Sequence, residues 1–387
     1  MKILYTAAHG GFSSEKVPLG GGAAVFELLR AEWLRTPGVE LVPILPHSVT
    51  GREIVGFSEL RYAAFCREFE RAATAEILRH DPASCVVLAN DISEGPDFAR
   101  LAAAGYRLFT IFHVDVVAYV AALYAKNLVA PEALVRWHRL LERLAPDVLQ
   151  LIFQKQRDCV RHSQACIVPS PEMADVIRRC YGPSPPVEVL PWGTPPATHS
   201  SHCRPADSHL TLLTLSRISP EKNQELLLES LLTWERLGNI PANLLVRICG
   251  DAAFMRGRTY FEHLKALASR LRHVRVEFPG YVTSQRKADL LASADLYVFP
   301  SRHESYGLTL MEAFAAGLPA LTLDHSGARS LMRTQFGIMA TPATFLTSLQ
   351  QLTADRNQLR EMGRAAREFA LARPFSAAAT RLLALFQ

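Results

Sequence analysis

The stretch Asp295–Gly317, DLYVFPSRHESYGLTLMEAFAAG, admits few folds. It opens on Leu296, Tyr297, Val298 and Phe299, an apolar run rich in β-formers that Pro300 halts, and so reads as a strand. A polar loop, Ser301 to Tyr306, follows. Gly307 then opens a helix in which Leu308, Met311, Phe314 and Ala315 recur at helical spacing, until Gly317 and Pro319 stop it. A loop that enters a helix at glycine exposes unpaired backbone N–H groups and a dipole that favours anions. Glu304 stands in that loop and Glu312 a turn and a half inside the helix. Carboxylates repel phosphate, so these two need another partner, and the hydroxyls of a ribose and a hexose suit them.

Glu304 and Glu312 are separated by seven residues within HESYGLTLMEAFAAGLPAL. Two carboxylates at that spacing are common by chance; the FPSR, YG and AxAxGLP context is not. On these residues the stretch resembles the Glu-x7-Glu signature of the retaining glycosyltransferases of family 4. The bland alternative is a solvated, helix-capping Glu304 and a surface Glu312.

At 387 residues the chain has room for two domains. A hydrophobic share of 49% with 20% charged residues describes an ordinary globular protein. The net charge of +5 suits an anionic nucleotide or a loose hold on an acidic membrane. No basic run or RNA-binding signature accompanies it, which argues against nucleic acid. The seven cysteines form no CxxC pair and mostly fall in apolar patterns, as buried thiols of a reducing compartment do. MKILYTAAHGG is too short in its apolar run for a signal peptide, and no stretch approaches 18 continuous apolar residues. The expectation is a cytoplasmic protein, with peripheral membrane association left open.

Lys2 to Ala8 reads as a first strand, His9 to Gly22 as a glycine-bearing loop, and Ala23 to Arg35 as a helix. Strand, glycine loop and helix open a Rossmann-like unit, although the spacing is not G-x-G-x-x-G. Gly20-Gly21-Gly22 resembles the family's double-glycine loop between donor diphosphate and acceptor; a flexible surface loop is the alternative. Strands follow at Val39–Leu45, Cys85–Ala89, Arg107–His113, Ala165–Val168 and Val187–Leu190, with helices at Phe57–His80, Phe98–Ala104, Pro131–Arg143, Val148–His162 and within PSPEMADVIRRCYG. This alternation predicts a parallel sheet covered on both faces, with function beyond the C-terminal strand ends. His113 stands at one of those ends. It resembles the family's histidine near the donor sugar, where imidazole can donate to a sugar hydroxyl or orient an acceptor. A histidine bonded to a neighbouring loop is the alternative.

Thr194 to His209 is rich in Pro, Ser and His without apolar period, and marks the domain boundary. Its His199, His202, Cys203 and His209 fit no zinc spacing. Domains are therefore expected at 1–193 and 210–373, with 194–209 as linker and a last helix, 374–387, packing back on the first. In the second, strands read at Leu210–Ser216, Leu244–Ile248, Val274–Phe278 with Gly280–Val282, and Ala320–Leu323; Gln358–Ala372 is a helix. Arg217 and Lys222 flank a Ser219-Pro220 turn before an amphipathic helix, and two cations at a strand-to-helix junction can clamp a leaving diphosphate. The segment resembles the family's Arg-x4-Lys element; an ordinary salt bridge is the alternative. Family members often have a glycine-rich turn where this chain has Asp324-His325-Ser326-Gly327.

The resemblance implies an α/β GT-B fold, two Rossmann-like domains facing across an interdomain cleft that holds the active site. It implies a retaining, metal-independent, cofactor-free transferase that takes a UDP-hexose, UDP-glucose being the best guess, to a saccharide or lipid-linked acceptor. Glu312 would hold the ribose, and Glu304 the hexose, with His113 approaching from the facing domain. Arg217, Lys222 and the N–H groups of Gly307 and Leu308 would hold the diphosphate; Gly22, Ser305 and Tyr306 complete the donor site, and Tyr281 with Val282 would hold the base. An epimerase of the same fold, which would lack the Glu304–Glu312 pattern, and a silent nucleotide-sugar-binding protein, which would lack the cationic pair, are the rivals.

Overall fold

The computed structural model describes residues 1–10, 20–51, 59–117, 129–183, 186–196, 209–252 and 257–387. The chain divides into two compact units, Met1–Trp192 with Ala378–Gln387, and Gly193–Ala377. Most of the His9–Gly22 loop and the histidine–cysteine cluster His199, His202 and Cys203 lie outside the described residues.

The first unit holds a parallel sheet of β1 (Lys2–Thr6), β2 (Glu40–Ile44), β3 (Cys85–Ala89), β4 (Arg107–Ile111), β5 (Ala165–Val168) and β6 (Val187–Val189), in the order β2-β1-β3-β4-β5-β6. All five residues of β3 are buried, as expected of a strand with helices on both faces. One face packs Leu4, Val87, Leu108, Cys166 and Val168 against Phe69 of the helix Glu59–Ile77 and Phe98 of the helix Phe98–Ala103. The C-terminal segment is part of this unit: Phe386 lies 4.7 Å from Phe109 between ring centroids, and Trp33 Nε1 donates to the Ala379 carbonyl at 3.2 Å.

The second unit holds β7 (Leu210–Leu215), β8 (Leu244–Cys249), β9 (Val274–Gly280), β10 (Leu296–Phe299), β11 (Ala320–Leu323) and β12 (Gly337–Ala340). Its order is β12-β11-β10-β7-β8-β9, again all parallel. Read from β9, that is 3-2-1-4-5-6 within the unit, the doubly wound order of dinucleotide-binding domains. In both sheets the chain reverses its direction of winding at one point, β1/β3 in the first and β7/β10 in the second. Loops on the two sides of such a point diverge and leave a crevice beyond the C-terminal strand ends.

Several expectations need correction. Gly21 and Gly22 are the first residues of the helix Gly21–Trp33 rather than loop, with Ala24 N–H already donating to the Gly20 carbonyl at 3.0 Å. β9 runs through Pro279 and ends at Gly280, so Tyr281 and Val282 lie past the strand, on the way into the helix Ser284–Ala292. Where the family often has a glycine-rich turn, this chain keeps only Gly327 and enters the helix Ser326–Leu331, capped by His325. The helices Gly257–Ala268, Ser284–Ala292 and Phe345–Thr353 and the strand β12 were not legible. All six cysteines among the described residues are buried and free.

Candidate active site

In the second unit, the loops after β7 and β10 are stitched together at the switch point. Asn223, at φ 56°, caps the helix Gln224–Arg236 and donates through Nδ2 to the Pro300 carbonyl at 3.1 Å. Arg302 N–H donates to the Glu221 carbonyl at 2.9 Å. Between these two ties, Lys222 Nζ lies 2.6 Å from Glu304 Oε1, with the two side chains 12% and 16% exposed. Ser301 Oγ donates to the same oxygen at 3.0 Å. Burial alone would raise the Glu304 carboxyl, but the Lys222 ammonium and these hydrogen bonds together hold it below its ordinary value. Arg217, on the far side of the turn, lies 3.5 Å from Glu221.

Gly307 caps the helix Leu308–Ala315 at φ 106°, a conformation that a side chain would strain, and this lets the chain turn sharply from loop to helix. Glu312, on that helix, is paired as Glu304 is. Its Oε1 accepts from Lys287 Nζ at 2.6 Å, and its Oε2 is buried with no hydrogen-bond partner among the described residues. A buried oxygen left so costs about 1–3 kcal/mol unless a donor arrives. Tyr297 of β10 ties the helix to the sheet edge, its hydroxyl 3.1 Å from the Leu215 carbonyl and 2.8 Å from Thr309 Oγ1.

Other expected donor residues are less available. Tyr306 is 5% exposed and its hydroxyl accepts from Gly193 N–H at 2.8 Å, so its side chain is committed to packing. Ser305 and Val282 are likewise buried, whereas Tyr281 and Leu308 are half-buried. His325, given no site role in the sequence reading, accepts the Ala328 N–H on Nδ1 at 3.0 Å. Burial brings its pKa down to about 4, against the pull of Glu304, so the ring is neutral and Nε2 carries the proton. That N–H is buried with no partner among the described residues.

The first unit gathers a second polar cluster at its own switch point. Asn90 Nδ2 donates to the Gly22 carbonyl at 3.2 Å, which fixes the amide so that Oδ1 faces His113 Nε2 at 3.0 Å. Oδ1 can only accept, so Nε2 carries the proton and Nδ1 keeps its lone pair. Burial pulls His113 down to about 4 although Asp91 opposes it, so the ring is neutral at pH 7. His113 is therefore suited to accept a hydroxyl proton through Nδ1 rather than to donate one. A Cβ on Gly22 would meet His113 Cδ2 at 2.9 Å and Asp91 Oδ1 at 3.5 Å, a spacing that only glycine satisfies. Asp91 lies 3.2 Å from His9 Nδ1 and accepts the Ala8 N–H at 2.8 Å. Glu94 takes the Tyr62 hydroxyl at 2.5 Å and stands 3.9 Å from His9 Nε2. Burial, with Asp91 nearby, raises the Glu94 carboxyl, while His9 holds Asp91 low in spite of its burial.

Residues 203–369 match the family described as glycosyl transferases group 1. The matched stretch falls within the second unit and makes up most of it. A curated relative, the mannosylfructose-phosphate synthase of Agrobacterium fabrum, is 30% identical over 134 residues, 34% of this chain and 29% of the relative. The chain thus spans well under two thirds of that relative's length. Among solved structures, a sucrose-phosphate synthase from Thermosynechococcus elongatus superposes with a TM-score of 0.78 at 18% identity, covering 100% of this chain and 98% of that one. Anabaena Alr3699/HepE, solved in complex with UDP-glucose, gives 0.69 at 17% identity, covering 100% and 99%. The fold is GT-B, two α/β domains each built on a parallel six-stranded sheet.

The family match contains Arg217, Lys222, Glu304 and Glu312, and the structure brings Lys222 and Glu304 together. Sequence reading missed Lys287 and His325. Nothing in the spacing of SQRKADLLA links Lys287 to a glutamate 25 residues on. His325-Ser326-Gly327 ahead of ARSLM was a legible cap signal. Among the described residues no group of three or more His, Cys, Asp or Glu could hold a metal ion, and no helix is long and apolar enough to cross a membrane.

Proposed function

We propose that the chain is a retaining glycosyltransferase that moves a hexose from a UDP-sugar, UDP-glucose being the best candidate, to a saccharide or lipid-linked acceptor. The observation that carries this is the pairing of both signature carboxylates with lysines at the switch point of the second sheet. An incoming diphosphate competes with Glu304 for Lys222. Once Lys222 turns to the phosphates, the Glu304 carboxylate is free to accept from hexose hydroxyls. Donor binding is then an exchange of partners, which leaves neither charge stranded. Glu312 takes the ribose, and Arg217 with the N–H groups of Gly307 and Leu308 adds to the diphosphate hold.

The bond from the hexose anomeric carbon to the phosphate oxygen breaks, and its electron pair stays with the departing UDP. The acceptor hydroxyl attacks on the face that UDP leaves, and its proton passes to the leaving phosphate oxygen. No carboxylate nucleophile is required. His113 offers Nδ1 to a sugar hydroxyl. Lys222, Arg217 and a helix N-terminus supply the positive charge that a divalent ion supplies elsewhere.

The test is UDP release from UDP-glucose, with and without candidate saccharide and lipid-linked acceptors, preceded by a thermal-shift screen of nucleotide sugars. Acceptor-dependent release that survives excess EDTA is the expected result. Loss in EDTA with recovery in magnesium or manganese contradicts the charge argument, and no release with any donor contradicts the reading.

A further inference from the structure

Glu312 is not an isolated carboxylate. Lys287, in the helix that follows β9, reaches it with Nζ 2.6 Å from Oε1. The ammonium is one-third exposed and the carboxylate 18% exposed, so this is not a fully solvated surface pair. The two oxygens of Glu312 differ: one is engaged by a cation, and the other is buried with no donor among the described residues. A stable fold rarely leaves a carboxylate oxygen in that condition, and where one persists an absent partner is the natural explanation. The charge balance points the same way. A bare carboxylate in this position would repel a nucleoside diphosphate, whereas a carboxylate already neutralised by lysine does not. Lys222 does the same for Glu304.

We propose that Lys287 is a positioning residue of the nucleotide site: by holding Oε1 it turns Oε2 toward the ribose, so that the site selects a ribonucleoside diphosphate through a hydroxyl accepted at Oε2. Lys287 acts through Glu312 and does not itself touch the phosphates. The inference rests on the reading of Glu312 as the ribose ligand, and goes beyond it by naming what makes that glutamate selective.

The experiment titrates UDP and 2′,3′-dideoxy-UDP by calorimetry into the full chain and into Lys287→Met, Lys287→Arg, Glu312→Gln and the Lys287→Met/Glu312→Gln pair. Thermal unfolding of each variant serves as the check on folding. Wild type should favour UDP by about tenfold or more, the size of a charged hydrogen bond. Glu312→Gln should lose that preference by weakening UDP alone. Lys287→Met should lose it too, weakening UDP more than dideoxy-UDP, with the double variant no worse than either single one. Lys287→Arg should recover most of it. A Glu312→Gln variant that keeps the preference overturns the ribose assignment, and the role of Lys287 with it. If Glu312→Gln loses the preference but Lys287→Met keeps it, or weakens both nucleotides equally, only the role of Lys287 is overturned.

Discussion

At the switch point of the second sheet the carboxylates Glu304 and Glu312 are paired with lysines; at that of the first, Asp91 and Glu94 gather around the imidazole of His9, with a neutral His113 beside them. Lysine keeps its charge throughout the neutral range, while histidine is the side chain that titrates there. The same sheet edge thus holds its carboxylates with lysines in one unit and with an imidazole in the other. On the proposed function, donor affinity belongs to the lysine-held edge and should vary little between pH 6 and 8. UDP-glucose suits this measurement, since its diphosphate diester does not itself titrate there. Turnover that changes over that range while UDP-glucose affinity stays flat would place the change in the histidine cluster.

The largest expected effect comes from breaking the permanent charge. Lys222→Ala should lower turnover on the order of a hundredfold or more. It should also destabilise the fold by about 3 kcal/mol, because it strands a nearly buried Glu304. Adding Glu304→Gln should restore the melting temperature without restoring turnover. Recovery of both would mean that the lysine serves only the fold.

Next is acid stability. His113 and His325 both have folded pKa values of about 4, against an ordinary value near 6.5. Their contribution is complete above about pH 6.5 and is lost as the pH falls through 4, at about 1.4 kcal/mol per pH unit for a group as buried as His325. His325→Asn keeps a side-chain oxygen to cap the helix. It should therefore flatten part of the fall in melting temperature between pH 6.5 and 4. An unchanged slope would show that His325 is protonated in the folded protein.

The smallest effect is at Gly22. Alanine there suits the helical backbone, but its Cβ must push the His113 ring aside, so stability should fall slightly. Turnover should fall on the order of tenfold. Unchanged turnover would remove His113 from the reaction.

What was legible followed the strength of the local signal. Ala165–Val168 and Ala320–Leu323 were read to the residue, because short buried strands between polar turns announce both ends. The strand–loop–helix around Glu304 and Glu312 was read for the same reason. Gly337–Ala340 was not, having little but the pattern of its neighbours to mark it. Charge pairing was the least legible feature. Arg217 and Glu221 sit four residues apart, but Lys222–Glu304 and Lys287–Glu312 join residues 82 and 25 positions apart, which only the sheet order brings together. The sequence reading thus placed Lys222 with the phosphates and Glu304 with the sugar, and did not see that the two side chains pair with each other.

The most direct test of that exchange is calorimetric titration of UDP and UDP-glucose into Glu304→Ala and Glu312→Ala. Glu312→Ala should weaken both ligands by roughly 1.5–3 kcal/mol, the loss of charged hydrogen bonds to the ribose. Glu304→Ala frees Lys222 for the diphosphate, so UDP should bind as well as in the wild type or more tightly, while UDP-glucose loses the advantage of its hexose. If Glu304→Ala weakens bare UDP as much as Glu312→Ala does, the two glutamates do not divide the donor between them and the exchange of partners does not occur.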